Sequence, residues 1–278
     1  MLMRLMLLLL LIGCAETPLP AQPEAVMVEP QKPILPDELA EIRQARSHLR
    51  PVGEDILPIV TKEYNTRVGK REWVFWAERC AERSDLFEEA SELLLYDVAF
   101  IAGFAMIESG GCQMGVVGSS GERGMMQIYK RPPRKRLARI AELRGKEVKE
   151  VDWKEDPMDN LLAGLLLLGA FEEQLASRPH GILAYNMGAA GEKRAMRKAG
   201  WSKAPWPSVA TLMPHLRYDR KAKPRVYVQR VLAAGAIMKR TLGGQVVEKV
   251  DSLTRRDIPG FDPADDGDVV LAAYQPLP

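Results

Sequence analysis

The chain has 278 residues, of which 46% are hydrophobic, and its formal net charge is +2. This length predicts one ordinary domain with extensions or two small domains, and the apolar content is sufficient for a packed core. The near balance of charges excludes a molecule that binds polyanions strongly over its whole surface.

The N-terminus has the pattern of an export signal. Residues 1–4 carry one positive charge, and residues 5–12 form an unbroken apolar run. The run is too short for a membrane-spanning helix, which needs about 20 residues, but it has the size of the apolar part of a secretory signal. Residues 11–14, with the sequence LIGC, resemble the bacterial lipobox.

This resemblance implies that residues 1–13 are removed and that Cys14 carries a lipid anchor in the membrane. Ala15 follows, where an aspartate would imply retention at the inner membrane, so the resemblance implies the periplasmic face of the outer membrane. A plain secretory signal, with Cys14 incidental, is the alternative.

Residues 14–36 hold six prolines among small and acidic residues, which predicts an extended tether. A helical extension over residues 37–87 is expected next. It contains a short helix at about 37–50, a poorly defined segment from about 54 to 68, and a helix over 71–83.

The strongest helical pattern runs from Ser91 to Glu108. Apolar residues surround nearly the whole cylinder, which is typical of a core helix. Glycines at 110, 111 and 115 end it, and a loop rich in glycine and serine continues to Gly124.

The other elements predicted along the chain are also helices, so the fold class is mainly α with little or no sheet. A basic segment covers residues 130–155, and a second apolar helix spans about 158–176. Pro179 suits the first turn of another helix, and Pro224 opens a last helix that ends before Gly243. Residues 242–278 are acidic and poor in apolar clusters, which predicts a loosely ordered tail.

Glu108 is the first candidate for chemistry. Cleavage of a glycosidic bond requires a proton donor, and a carboxylic acid can donate at neutral pH only if its pKa is raised. Burial against apolar neighbours such as Ile107 would raise it, and the glycines behind it leave room for a substrate. The alternative is an ordinary glutamate at a frayed helix end.

Two further segments follow Glu108-Ser109 in order. They are GERGMMQI at residues 121–128 and AYNMG at residues 184–188. With them, the chain resembles the catalytic domain of soluble lytic transglycosylases, in the lysozyme-like superfamily. The late tyrosine of YVQRV, Tyr227, also fits, and the resemblance predicts a lysozyme-like domain over residues 88–241.

The resemblance implies a mechanism. Glu108 would protonate the oxygen between N-acetylmuramic acid and N-acetylglucosamine, and would then accept the proton of the muramyl 6-hydroxyl as that hydroxyl closes on C1. The product would be a 1,6-anhydro end. The substrate's N-acetyl group would stabilise the positive charge that a second carboxylate stabilises in other glycosidases.

The resemblance also implies substrate-binding roles. Ser109 would orient the catalytic glutamate or the acetamido group, Met126 and Gln127 would line the sugar cleft, and Tyr185 would hydrogen-bond the glutamate. Asn186 would bind a sugar or the surroundings of the glutamate. Each has a structural alternative: Met126 as core, Tyr185 as a packing aromatic, and Ser109 or Asn186 as a cap for the next turn.

Two features depart from the family pattern. Glu122 stands where small or apolar residues are common. It is either a second acid that positions water, as in goose-type lysozymes, or a surface group that pairs with Arg123 or faces solvent. The basic segment 130–155 replaces a short connector, and it either contacts anionic peptide stems or phosphate-bearing polymers of the wall or is a solvated face.

Cys80 and Cys112 could form a disulfide in an oxidising compartment, or remain buried thiols. No metal site, cofactor or nucleic-acid partner is expected, since the three histidines have no paired spacing.

The sequence therefore predicts a lipid-anchored lytic transglycosylase acting on the glycan strands of peptidoglycan. A muramidase that cleaves the same bond with water, and a non-catalytic wall-binding scaffold, are the alternatives.

Overall fold

The computed structural model describes Leu49 and residues 53–202, 207–216 and 224–261. The predicted signal, Cys14, the tether and the helix at about 37–50 lie outside these residues, apart from Leu49. The last part of the predicted tail, residues 262–278, also lies outside them.

Ten α-helices occur along the described residues, together with four short 3₁₀ turns. The helices are α1 Leu57–Val68, α2 Arg71–Ala81, α3 Ser84–Leu94, α4 Val98–Ser109, α5 Arg134–Leu143, α6 Pro157–Leu175, α7 Arg178–Met187, α8 Ala189–Lys198, α9 Val209–Leu212 and α10 Pro224–Leu242. The 3₁₀ turns are Glu54–Ile56, Val148–Glu150, Met213–His215 and Arg255–Asp257.

The described residues contain no β-strand, and only isolated bridges join Val117 to Arg123 and Arg123 to Ile128. The predicted mainly α fold is therefore confirmed. Within this part of the chain no single helix is long and apolar enough to cross a membrane, although the bent pair α3 and α4 would qualify by length and composition.

The helix predicted from Ser91 to Glu108 is in fact two helices. Leu95 adopts a left-handed backbone conformation with φ 54°, and α3 and α4 meet at a bend of 117°. Asp97 then caps α4 by accepting a hydrogen bond from the Phe100 backbone N–H at 3.0 Å. Both helices bury apolar faces, so hydrophobic periodicity continues across the break and conceals it.

The core is organised around the crossing of α4 and α10. Gly103 in α4 lies directly against the backbone of Gly235 in α10, and a Cβ atom at Gly103 would come within 2.4 Å of the Gly235 nitrogen. A glycine is required there because the two backbones touch. This close contact fixes how the ends of the two helices face one another.

The basic segment 130–155 folds on the outside of this core. Leu137 and Ile140 of α5 are buried, whereas most of the lysines and arginines of this segment are exposed. Lys146 is an exception, because its ammonium lies 2.6 Å from the buried carboxylate of Asp159. Part of the charge therefore stabilises the start of α6.

The first part of the predicted tail is packed rather than loose. Asn65 of α1 donates to the Val250 carbonyl and accepts from the Val250 N–H. Leu253, Ile258 and Phe261 are buried in the core. The prediction of a loosely ordered segment from residue 242 is therefore wrong up to residue 261, because three widely spaced apolar residues anchor an otherwise polar stretch.

Two more segments differ from expectation. The poorly defined segment at 54–68 is a 3₁₀ turn followed by α1, and residues 189–198, for which no helix was predicted, form α8.

Candidate active site

Glu108 lies in the last turn of α4, where it is half-buried. The hydroxyl of Tyr227, in the second turn of α10, donates a hydrogen bond to Glu108 Oε1. The Gly103–Gly235 contact holds the two helices close enough for this bond to form.

The pKa of the Glu108 carboxyl is raised to about 7. Burial is the main cause, because the ionised form loses hydration. The hydrogen bond from Tyr227 lowers the pKa, and the negative charge of Glu122 raises it again. A carboxylic acid with this pKa keeps a proton to donate near neutral pH.

The tyrosine that bonds to the glutamate is not the one predicted. Tyr185 donates its hydroxyl proton to the backbone carbonyl of Met126 at 2.7 Å. Phe104 contacts both tyrosine rings edge-on, with ring centroids 4.9 Å from Tyr185 and 6.4 Å from Tyr227. The prediction that Tyr185 hydrogen-bonds Glu108 is therefore wrong, because the Tyr185 hydroxyl donates to the Met126 carbonyl instead.

Tyr185 still belongs to the surroundings of the glutamate. Its pKa is raised well above the usual value, first by burial and then by the negative charge of Glu108. Tyr185 is therefore close enough to Glu108 for their charges to interact, and it forms one wall of the site.

The Ser109 hydroxyl bonds to the backbone of its own segment and not to the Glu108 carboxyl. This hydroxyl donates to the Ala105 carbonyl at 2.9 Å and accepts from the Gln113 N–H at 2.9 Å. The side chain is buried and serves to join the end of α4 to the following loop. The alternative reading, in which Ser109 caps the next turn, is the one that the structure supports.

Met126 is a core residue rather than an exposed wall of the sugar cleft. Its side chain is fully buried and packs closely on Gly164 of α6. Its backbone N–H donates to Asn160 Oδ1 at 2.8 Å. The contribution of Met126 is thus to hold Tyr185 through its carbonyl and to fasten the loop to α6.

Gln127 is half-buried and adopts a left-handed backbone conformation with φ 48°. Its amide N–H groups donate to the carbonyls of Gly124 at 2.7 Å and Val116 at 3.3 Å. Its Oε1 lies over Gly118, where a Cβ atom would come within 2.7 Å. The side chain therefore braces the loop and leaves its amide oxygen beside Gly118.

Glu122 occupies the same side of that loop. Its carboxylate also lies over Gly118, and it accepts a hydrogen bond from the Ser120 N–H at 2.9 Å. Partial burial would raise its pKa, but hydrogen bonds from the backbone of Glu122 and from Ser120 outweigh this and lower it. Glu122 is therefore ionised where Glu108 is protonated, and no ion pair with Arg123 forms.

Asn186 follows Tyr185 near the end of α7 and is half-buried. Its Oδ1 is buried and has no hydrogen-bond donor among the residues that the structure describes. Buried acceptors normally have partners. Asn186 is therefore the predicted binding residue with a free group for a ligand.

A disulfide joins Cys80 of α2 to Cys112, whose sulfur lies in the loop behind Glu108. Gly110 and Gly111 of the same loop pack against the ring of Trp76. The pairing that the sequence left open is thus formed in the structure, and it attaches the loop to α2.

Tyr227 fits the family pattern in the sequence, but the resemblance implied no role for it. The signal that could have found Tyr227 is its position at the start of α10. That helix carries Gly235, which contacts Gly103 of α4, and a glycine on each helix allows the two backbones to approach closely. The hydrogen bond from the Met126 N–H to Asn160 could not be predicted from the sequence, because an asparagine near a helix start usually caps its own helix.

The comparisons with known proteins agree with this geometry. Residues 85–205 match the family model described as the Transglycosylase SLT domain, and the match includes Glu108, Gln127 and Asn186 but ends before Tyr227. No curated protein and no solved structure matches the chain. Residues 85–205 therefore form an SLT transglycosylase domain of the lysozyme-like superfamily, and this domain implies lytic transglycosylase activity on peptidoglycan.

Proposed function

We propose that Glu108 is the single catalytic acid and base of a lytic transglycosylase that cleaves the β-1,4 bond between N-acetylmuramic acid and N-acetylglucosamine. The observation that carries this proposal is the raised pKa of Glu108, to about 7, at the Glu-Ser position of an SLT domain. An ordinary surface glutamate would be ionised at neutral pH and could not donate a proton.

In the first step Glu108 gives its proton to the glycosidic oxygen, and the bond from that oxygen to C1 of the muramyl residue breaks. In the second step the Glu108 carboxylate accepts the proton of the muramyl 6-hydroxyl, while the oxygen of that hydroxyl bonds to C1. The products are a free 4-hydroxyl and a 1,6-anhydro ring, and no water is consumed.

Tyr227 stabilises the ionised form of Glu108 between the two steps. Its hydroxyl donates to Glu108 Oε1, and it therefore compensates part of the cost of a carboxylate in a buried position. This hydrogen bond prevents the pKa from rising so far that Glu108 could no longer act as the base.

Asn186 and Gln127 would bind the sugars. The unpaired Oδ1 of Asn186 suits the N–H of an acetamido group, and the Gln127 amide oxygen beside Gly118 can accept from a sugar hydroxyl or N–H. Binding of the acetamido group would also hold it where it can stabilise positive charge at C1.

A second candidate function, hydrolysis by water, is favoured by Glu122. A protonated and an ionised carboxyl that act on each other electrostatically are the pattern of an acid and a base in glycosidases. In this reaction Glu122 would take a proton from water as the water attacks C1. The product would have a reducing muramyl end.

Mass spectrometry of digested sacculi separates the two reactions, because an anhydro product is lighter than a reducing product by the mass of one water. We expect anhydro ends in the wild-type digest and none with Glu108→Gln. Exclusively reducing ends would establish the hydrolase. If the wild-type protein leaves sacculi intact, the remaining interpretation is a non-catalytic wall-binding scaffold.

We also propose that the protein is exported and anchored by lipid on Cys14 at the periplasmic face of the outer membrane. The LIGC sequence at 11–14 supports the anchor, and the Cys80–Cys112 disulfide is in keeping with an oxidising compartment. Labelled fatty acid should enter the wild-type protein but not Cys14→Ser, and label in both would exclude Cys14 as the acceptor.

A further inference from the structure

A cavity of about 410 Å³ lies between α5, α6 and the end of α3, and the proposed mechanism does not use it. Its apolar walls include Leu94, Leu165 and Leu166. Lys135, Arg136 and Arg139 of α5 also line it. The cavity therefore combines an apolar surface with a group of cations.

The cavity is close to the catalytic carboxyl. Gly164, next to the wall residue Leu165, packs against the Met126 side chain, and the Met126 carbonyl accepts the hydrogen bond of Tyr185. The charge of Arg136 lowers the pKa of Tyr185 against the larger effects of burial and of Glu108, which raise it. Tyr185 thus interacts electrostatically both with Arg136 of the cavity lining and with Glu108.

The cations of the cavity are only partly neutralised. Arg139 pairs with Glu142 at 2.7 Å, outside the lining, and Glu173 is the only acid among the lining residues. Among the residues that the structure describes, neither Lys135 nor Arg136 forms an ion pair. Two positive charges are therefore free for an anionic group.

We propose that this cavity binds the peptide stem of the muramyl residue beside the bond that is cut, with Lys135 and Arg136 holding stem carboxylates. The inference rests on the proposed function, because the stem is attached to the sugar that Glu108 acts on. An acidic peptide with alanine side chains matches cations above leucine walls.

The test compares glycan strands that carry stems with strands from which an amidase has removed them. For the wild-type protein we expect kcat/KM to be about tenfold higher on stem-bearing strands. In Lys135→Gln/Arg136→Gln this ratio should fall close to one, mainly through KM on the stem-bearing substrate.

Lys130→Gln/Arg131→Gln is the matched control, because it removes the same charge from exposed residues of the same segment that do not line the cavity. The control should keep the wild-type ratio. An equal fall in the control would mean general electrostatic attraction and would overturn the cavity assignment. So would an unchanged ratio in Lys135→Gln/Arg136→Gln.

Binding measured in the Glu108→Gln background keeps the two proposals apart. If this protein binds stem-bearing strands better than stem-free strands, and the additional cavity substitutions abolish the difference, the inference stands even if the wild type cleaves neither substrate. If the wild type cleaves both and binding shows no difference, only the stem site is wrong. Loss of binding to phosphate polymers, with the stem preference intact, would assign the cavity to those polymers.

Discussion

The crossing of α4 and α10 and the loop at residues 110–128 each present one carboxylate to the site, and they control it in opposite ways. At the crossing, the Glu108 carboxyl loses hydration by burial and accepts a hydrogen bond from Tyr227. In the loop, Glu122 is bonded by the backbone of Ser120 and by its own N–H. Burial therefore protonates the first carboxylate, and backbone hydrogen bonds ionise the second.

This difference shows how one helical fold can hold two carboxyls in opposite protonation states near neutral pH. The pKa of Glu108 depends mainly on its burial and on the hydrogen bond from Tyr227, which lies on the helix that crosses α4 at Gly103 and Gly235. The pKa of Glu122 is a property of local loop conformation. Substitutions in the two regions should consequently have effects of different size and sign.

The largest effect is expected for Glu108→Gln. The amide keeps the size of the side chain but cannot donate a carboxylic proton, so cleavage of sacculi should fall by about 1000-fold or more. Turnover on purified sacculi measures this, with circular dichroism as the check on folding. Activity within about tenfold of the wild type would assign the acid to another residue.

The next effect concerns the crossing itself. Gly103→Ala places a methyl group against the backbone of Gly235, which cannot move like a side chain, so the free energy of unfolding should drop by about 3 kcal/mol. Gly69→Ala is the control, because Gly69 has no atom within 4 Å of an added Cβ, and it should change stability by less than about 1 kcal/mol. Equal denaturation midpoints for the two variants would contradict close packing at Gly103.

Tyr227→Phe should shift the pH dependence of activity. The hydrogen bond from Tyr227 lowers the pKa of Glu108, so its removal should raise that pKa above about 7 and move the alkaline limb of the activity profile to higher pH. Tyr185→Phe is the matched control, since Tyr185 donates to Met126 and not to the glutamate. A shift of the same size in both variants would refute the distinction between the two tyrosines.

Glu122→Gln should give the smallest shift, in the opposite direction. The negative charge of Glu122 raises the pKa of Glu108, so its loss should lower that pKa and move the alkaline limb slightly to lower pH. The glutamine oxygen can still accept from Ser120, which preserves the loop. A large loss of turnover together with disappearance of reducing products would instead identify Glu122 as the base of a hydrolase.

The sequence was sufficient for the fold class. It also singled out Glu108, whose pKa burial raises, because the order and spacing of GERGMMQI and AYNMG limit the possible families. It was less informative about neighbours within the site. Tyr185 and Tyr227 both stand on helices near the glutamate, and only the backbone of Met126 decides which of them reaches it. Such a choice depends on three-dimensional packing that residue patterns do not encode.

The remaining errors have the same origin. The break at Leu95 joins two buried helices, so the apolar pattern does not register it. Met126 looked like a cleft residue, yet Gly164 and Asn160 draw it into the core. The tail up to Phe261 looked loose because three buried apolar residues are too few for a periodic signal.

The most direct test of the account is the titration of the Glu108 side-chain carboxyl carbon, followed by NMR and assigned by its absence in Glu108→Gln. Burial at the crossing of α4 and α10 predicts a pKa of about 7. A pKa near 4.5, the ordinary value for a glutamate, would mean that the carboxyl is ionised at neutral pH and would contradict its role as the proton donor.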